Sequence, residues 1–283
     1  MKTTVNTTRD AKARSGSVAA LLNNLTPRDL AILDTAAAHR FVLARHVRAL
    51  HFGGNATELA ATRATARTLK RLVDLEVLSR IDRHIGGVRA GSSGYVYAVG
   101  RRGRLIYARQ TGQALPRLAA TPSLTFLAHT LAVADLHARL AEVARSGAVR
   151  LIQFTPEPEC WRSHLNQFGV ATRLKPDAYA ETATVTAEGE GQYEDLWFIE
   201  VDRGTEASST LAAKAKAYQS YYNTGQEQAA QGAFPLVAWI VPDEARAELV
   251  LRAIHSTSRI DKRLHWAGTA DQFIDKVTKG DMP

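Results

Sequence analysis

The chain has 283 residues, 45% hydrophobic and 23% charged, a globular composition long enough for two domains of roughly 100–200 residues each. This excludes wholesale disorder, collagen and a coiled coil, and with no apolar run of about 18 residues no membrane span is expected; the lone Cys160 excludes an internal disulfide and a Cys-rich zinc site. Charge is unevenly spread: residues 1–110 hold 19 Lys+Arg against 7 Asp+Glu, a net +12, whereas residues 111–283 hold 17 against 21, a net −4.

Such asymmetry points to a polyanion-binding module joined to a module with another task. Residues 1–24 are polar and basic without sustained periodicity, and read as a disordered arm. They carry no apolar signal core, so a cytoplasmic location is expected. Leu25-Thr26-Pro27 opens a helix, with Thr26 as N-cap and Pro27 in the first turn. A second helix runs from Ala44 to His51 and stops at Gly53-Gly54, and a third runs from Glu58 to Leu75. With Ala66 at zero and about 100° per residue, Leu69, Leu72 and Val73 fall at about 240–340°. Arg63, Arg67, Lys70 and Arg71 fall at about 40–140°, which makes one face apolar and the opposite face cationic.

Val77–Arg83 and Tyr95–Val99 alternate apolar and polar residues around a Gly/Ser loop, the pattern of a β-hairpin with a long tip. Three helices and a hairpin give the order of a winged helix-turn-helix over residues 25–110. There the third helix enters the major groove of double-stranded DNA and the wing, with Arg83 and Arg89, touches the backbone. Gly100-Arg101-Arg102-Gly103 lacks the order and the Lys-Ser/Thr of a phosphate-binding loop.

Residues 111–122, with Gly112, Pro116 and Pro122, read as a linker, and Leu124–Ala144 as a long helix. His129 and His137 lie eight apart, the wrong spacing for a helical zinc pair. Residues 123–283 then read as an α/β domain. Its strands are Leu151–Thr155, Arg173–Ala180, Leu196–Val201 and Pro235–Val241, with helices Ser209–Tyr222 and Asp243–His255. Leu196–Val201 is almost wholly apolar and expected to be buried on both faces.

Acidic residues mark the strand ends. Asp177 follows Lys175-Pro176, while Glu200 and Asp202 are two apart and so share a face of an extended strand. Asp177, Glu200 and Asp202 form a candidate oxygen-donor set for Mg2+ or Mn2+. Such an ion can activate water and neutralise a phosphodiester.

Pro176-Asp177 followed by an apolar strand ending at Glu200 resembles the PD-(D/E)xK nuclease core. The string Phe198-Ile199-Glu200-Val201-Asp202-Arg203-Gly204-Thr205-Glu206 resembles the replication-relaxation family of actinobacterial plasmids and integrative elements, which is similar to relaxases of the MOB-C class. The resemblance implies a winged helix joined to a restriction-endonuclease-like domain, a role in plasmid replication or conjugative transfer, and nicking of one strand at an origin-type site. It makes Asp177 and Glu200 metal ligands, and coupling or replication proteins further partners. Asp202 stands where the family core has lysine. By helical phase Lys214 lies at the edge of the buried stripe Leu211, Ala215, Tyr218 and Tyr222 and is the better substitute cation; Lys216 faces out, and Lys175 is the other candidate. Tyr221-Tyr222 has no His-x-His motif beside it and is discounted as a nucleophile. The rival reading is a non-catalytic DNA-binding accessory factor whose nuclease domain is degenerate.

Overall fold

A computed structural model of the chain describes residues 18–85, 94–115, 122–166, 168–185 and 192–279. The fold is mixed α/β, and the chain divides into two compact units at Leu131/Ala132. Among the described residues no helix is long and apolar enough to cross a membrane.

The first unit begins earlier than its periodicity suggests. Residues 18–22 are helical, and Val18, Leu21 and Leu25 are buried in its core, so the stretch read as a disordered arm is structured from Val18 onward. Helix α1 (Pro27–His39) starts at Thr26, whose hydroxyl accepts from Asp29 N while Asp29 accepts from Thr26 N. This reciprocal cap satisfies two otherwise orphaned backbone donors. Strand β1 (Val42–Leu43), helix α2 (Ala44–His51) and helix α3 (Glu58–Asp74) follow. Ala61, Thr65, Leu69 and Leu72 form the buried stripe of α3, at steps of four, four and three. Strands β2 (Leu78–Ile85) and β3 (Gly94–Val99) pair antiparallel, and β1 adds to the far edge of β3, giving the order β1-β3-β2.

Helix α4 (Arg101–Thr111) was not anticipated. Its mean composition is polar and Arg-rich, but two glycines let it press onto the chain before β2. A Cβ on Gly103 would stand 2.1 Å from Val77 O and one on Gly100 2.4 Å from Glu76 O. Close backbone approach therefore explains the Gly-Arg-Arg-Gly string. Helix α5 (Leu124–Arg145) contains the division point; Leu127 and Leu131 are buried in the first unit, and Val133, Leu136 and Leu140 in the second.

The second unit is a five-stranded sheet of order β10-β9-β8-β7-β4. Its strands are β4 (Arg150–Pro156), β7 (Ala178–Val185), β8 (Gln192–Val201), β9 (Leu236–Ile240) and β10 (His265–Gly268). The three last run parallel, and β4, β7 and β8 pair antiparallel. The expected strand Arg173–Ala180 is two: β6 (Ala171–Leu174) pairs with β5 (Arg162–Leu165) in a separate hairpin, and β7 starts only at Ala178. Pro176 lacks the N–H needed to continue a ladder through this point. Helix α6 (Ser208–Tyr222), the short α7 (Gln226–Gln231) and α8 (Glu244–His255) follow β8 and β9.

Leu211, Ala215, Tyr218, Val250 and Ile254 from α6 and α8 pack with Phe198, Val237 and Trp239 on one sheet face. On the other, α5 and α9 (Ala270–Lys279) bury Leu136, Leu140, Phe273 and Val277 against Trp197, Ile199, Val201 and Ala238. Strand β8 is therefore covered on both faces, as its apolar run requires. Only Glu200 interrupts that run at its end.

Candidate functional site

On α3, Arg63 and Arg67 are exposed, with no ion-pair partner among the described residues. Lys70 pairs with Asp74 one turn on, at 2.6 Å. Arg71 turns to α1 and bonds the carboxylate of Asp29, whose side chain is 1% exposed. Burial alone would raise the Asp29 carboxyl, but Arg71 and the Thr26 donors outweigh it and hold it below its ordinary value. The cationic face thus contains two unpaired arginines, one lysine in a surface pair and one arginine tied to the core. Arg83 lies within β2, and Arg89 falls outside the described residues.

The carboxylates come together at the end of β8. Asp177 N donates to Ile199 O at 3.0 Å, and Asp177 Oδ2 accepts from Val201 N at 2.7 Å. Asp177 is thereby fixed beside Glu200, across the β7–β8 pair. Glu200 is 2% exposed. Its Oε1 accepts from the Tyr218 hydroxyl at 2.6 Å and its Oε2 from Lys214 Nζ at 2.8 Å. Lys214 also donates to Glu206 Oε1 at 2.7 Å. The structure thus brings Asp177, Glu200 and Lys214 into one cluster.

Asp202, one residue beyond the end of β8, is engaged elsewhere. Its Oδ2 accepts from Arg246 Nε of α8 at 2.6 Å, and its Oδ1 accepts from Gly204 N at 2.9 Å. Gly204 adopts φ +83°, a left-handed turn that favours glycine. Arg246 also donates to Glu206 O. The Glu-Val-Asp-Arg-Gly-Thr-Glu string is therefore a pinned turn, with Lys214 and Arg246 as its pins. Arg246 was not foreseen; a partner 44 residues downstream of Asp202 leaves no local sequence signal. Glu206 lies inside the Glu-Val-Asp-Arg-Gly-Thr-Glu string with no local signal of its pairing, and the helical phase of Tyr218 marks it as core without revealing its hydroxyl's partner.

Burial, then the neighbouring Asp177 charge, pushes the Glu200 carboxyl up to about 7 against the pull of Lys214 and Tyr218. For Lys214, burial works against the cation, but the Glu200 and Asp177 charges prevail and raise it above the ordinary lysine range. It is a permanent cation at neutral pH. Burial and the Glu200 charge keep the Tyr218 hydroxyl protonated, as a donor. Cys160 is buried, with Sγ 3.1 Å from Pro176 O, and burial pushes its thiol up, away from nucleophilic use.

Tyr221, not Tyr222, completes the buried stripe of α6. Both lie about 60° or less from it by phase. Tyr221 wins because its hydroxyl donates to buried Glu227, itself paired with Arg162. Burial and Glu227 raise that hydroxyl well above its ordinary value, so Tyr221 is a poor nucleophile at neutral pH.

The family model described as replication-relaxation matches residues 33–237, from within α1 to the second residue of β9. The chain belongs to the replication-relaxation family. A search of curated proteins and of solved structures gives no significant match. Family membership points to a role in DNA replication or transfer. The match takes in α3, Asp177, Glu200, Glu206, Lys214 and Tyr218, and ends before Arg246.

The donors at Asp177 and Glu200 are carboxylate oxygens, the kind that suits a hard divalent ion, and the neighbouring Cys160 thiol is buried and bonded to Pro176 O. Among the described residues no group of three or more His, Cys, Asp or Glu is arranged to hold a metal ion. Two carboxylates, Asp177 and Glu200, stand together there, and Asp202 is committed to Arg246.

Proposed function

We propose that the protein is a DNA-nicking relaxase of plasmid or integrative-element transfer. Its first unit is a winged helix that docks α3 on double-stranded DNA, and its second a PD-(D/E)xK-type domain. The single observation that carries this reading is the 2.8 Å contact between Lys214 and Glu200. It supplies, from the following helix, the cation that Asp202 cannot provide.

Asp177 and Glu200 would hold Mg2+ or Mn2+. When bound, such an ion neutralises phosphodiester charge and makes water acidic enough to attack. Lys214 adds a fixed positive charge next to the carboxylates, where negative charge grows on the phosphate in transit. Tyr218 orients Glu200 through its hydroxyl. Arg63 and Arg67 supply phosphate contacts on the duplex.

A second reading has one observation in its favour. Glu200 and Asp202 are already neutralised by Lys214 and Arg246, as expected of a non-catalytic accessory factor. Thermal melting with and without millimolar Mg2+ or Mn2+ separates the two at the level of the metal. The nuclease reading expects a metal-dependent rise in Tm that Glu200→Gln abolishes. No rise in the wild type, or equal rises in both proteins, contradicts it.

A further inference from the structure

The β5–β6 hairpin carries an apolar tip. Leu165, Phe168 and Val170 are 57%, 79% and 58% exposed, among the most exposed large hydrophobic side chains described. Asn166 Oδ1 accepts from Phe168 N and Val170 N at 2.9 and 3.0 Å.

Two open clefts adjoin the hairpin. The first, about 710 Å³, is lined by Ser163, His164, Thr172, Arg173 and Lys175. The second, about 700 Å³, presents Lys216 and Arg259. Leu165 borders both, and neither lining contains an aspartate or glutamate. In the half of the chain with net charge −4, two neighbouring clefts with cations alone form a local exception. His164 is only 7% exposed, yet neither ring nitrogen has a hydrogen-bond partner. Lys175 leads through Pro176 directly into Asp177.

We propose that the β5–β6 hairpin and its flanking clefts bind an unpaired strand of DNA, with phosphates on Arg173, Lys175 and Lys216 and bases against Phe168. The choice of a single strand over a duplex follows from the tip. Duplex bases keep their faces stacked inside, whereas an unpaired base offers a face to an aromatic ring. The proposal extends the DNA-processing reading but needs neither metal nor cleavage.

The test is fluorescence anisotropy of the full chain in EDTA, with a labelled oligothymidylate of about 20 nucleotides and separately with a duplex. Arg173→Glu with Lys175→Glu should weaken single-strand binding at least about tenfold. It should also reduce the salt slope by about 1.4, at about 0.7 per lost phosphate contact. Phe168→Ala should weaken it by about fivefold or more. Duplex affinity should stay within about twofold in these variants and fall in Arg63→Glu with Arg67→Glu, which should leave single-strand binding intact. All the substituted residues are exposed, and unchanged melting of each variant checks its fold. A wild type that does not bind the oligonucleotide, or hairpin variants that bind it as well as the wild type, overturns the proposal. Preserved single-strand binding in a protein that never nicks DNA would leave the surface standing and remove only the nuclease reading.

Discussion

Lys214 of α6 and Glu200 of β8 meet at 2.8 Å, with the lysine 31% and the carboxylate 2% exposed by side chain. The pair forms because the strand ends in a buried acid, and the next helix, docked on the same face, turns a lysine inward at its buried edge. Glu206 holds the other side of the ammonium group.

Removing the cation should strand that acid. Lys214→Met is expected to cost about 3 kcal/mol at pH 8, the lower end for breaking a buried pair because the lysine is partly solvated. The cost should shrink toward pH 5.5. The folded-state Glu200 carboxyl is pushed up to about 7, above its ordinary 4.5. Its contribution is fully present below about 4.5 and lost as pH rises through the folded value. Urea denaturation of both proteins at the two pH values checks this.

Asp29 works in the opposite sense. Its carboxyl is held below the ordinary 3.8 by Arg71 and Thr26, so its contribution is present above that value and lost as pH falls through the lowered one. Asp29→Asn should cost about 1–2 kcal/mol at pH 7, through the helix cap and the Arg71 pair. The difference from wild type should fade below about pH 3.8. Acid titration of the melting temperature reads both limbs.

Arg246 and Asp202 are 12% and 1% exposed by side chain and lie 2.6 Å apart. Arg246→Met should cost about 3 kcal/mol, because it leaves an aspartate buried without its cation. Adding Asp202→Asn should recover at least about 1 kcal/mol, the coupling expected of a contacting pair. A double-mutant cycle by chemical denaturation measures it, and additive losses would show that the pair does not hold the turn.

Much of this was legible where one element sufficed. The α3 stripe, the Thr26 cap and the doubly buried β8 follow from periodicity and local chemistry, and Lys214 was reached from helical phase alone. The remainder depended on contacts between distant segments. Two-residue β1 exists only because β3 offers it an edge. Helix α4 is fixed by the approach of Gly103 to Val77. Arg71 looked like one more DNA-facing cation because nothing in α3 itself reveals Asp29, 42 residues away. The choice of Tyr221 over Tyr222 for the core was made by Glu227, beyond the helix.

Duplex binding should follow pairing state rather than mere position on α3. Arg63→Glu with Arg67→Glu is expected to weaken duplex affinity strongly and to flatten the salt slope by about 1.8, at about 0.9 per phosphate contact. Arg71→Ala should act mainly on stability, since that side chain is bonded to Asp29. Gel shifts across a salt series distinguish the two effects.

The most direct measurement is nicking of supercoiled DNA that carries the cognate origin, with Mg2+ or Mn2+, by the wild type and single variants. The wild type should open the circle only when metal is present. Asp177→Ala and Glu200→Ala should abolish the activity, and Lys214→Ala should reduce it by about a hundredfold or more, the scale of losing one electrostatic stabiliser. Tyr221→Phe and Tyr222→Phe should retain it. Bound but uncut DNA under every metal, or full activity without Lys214, would contradict the assignment of a metal nuclease centre to Asp177, Glu200 and Lys214.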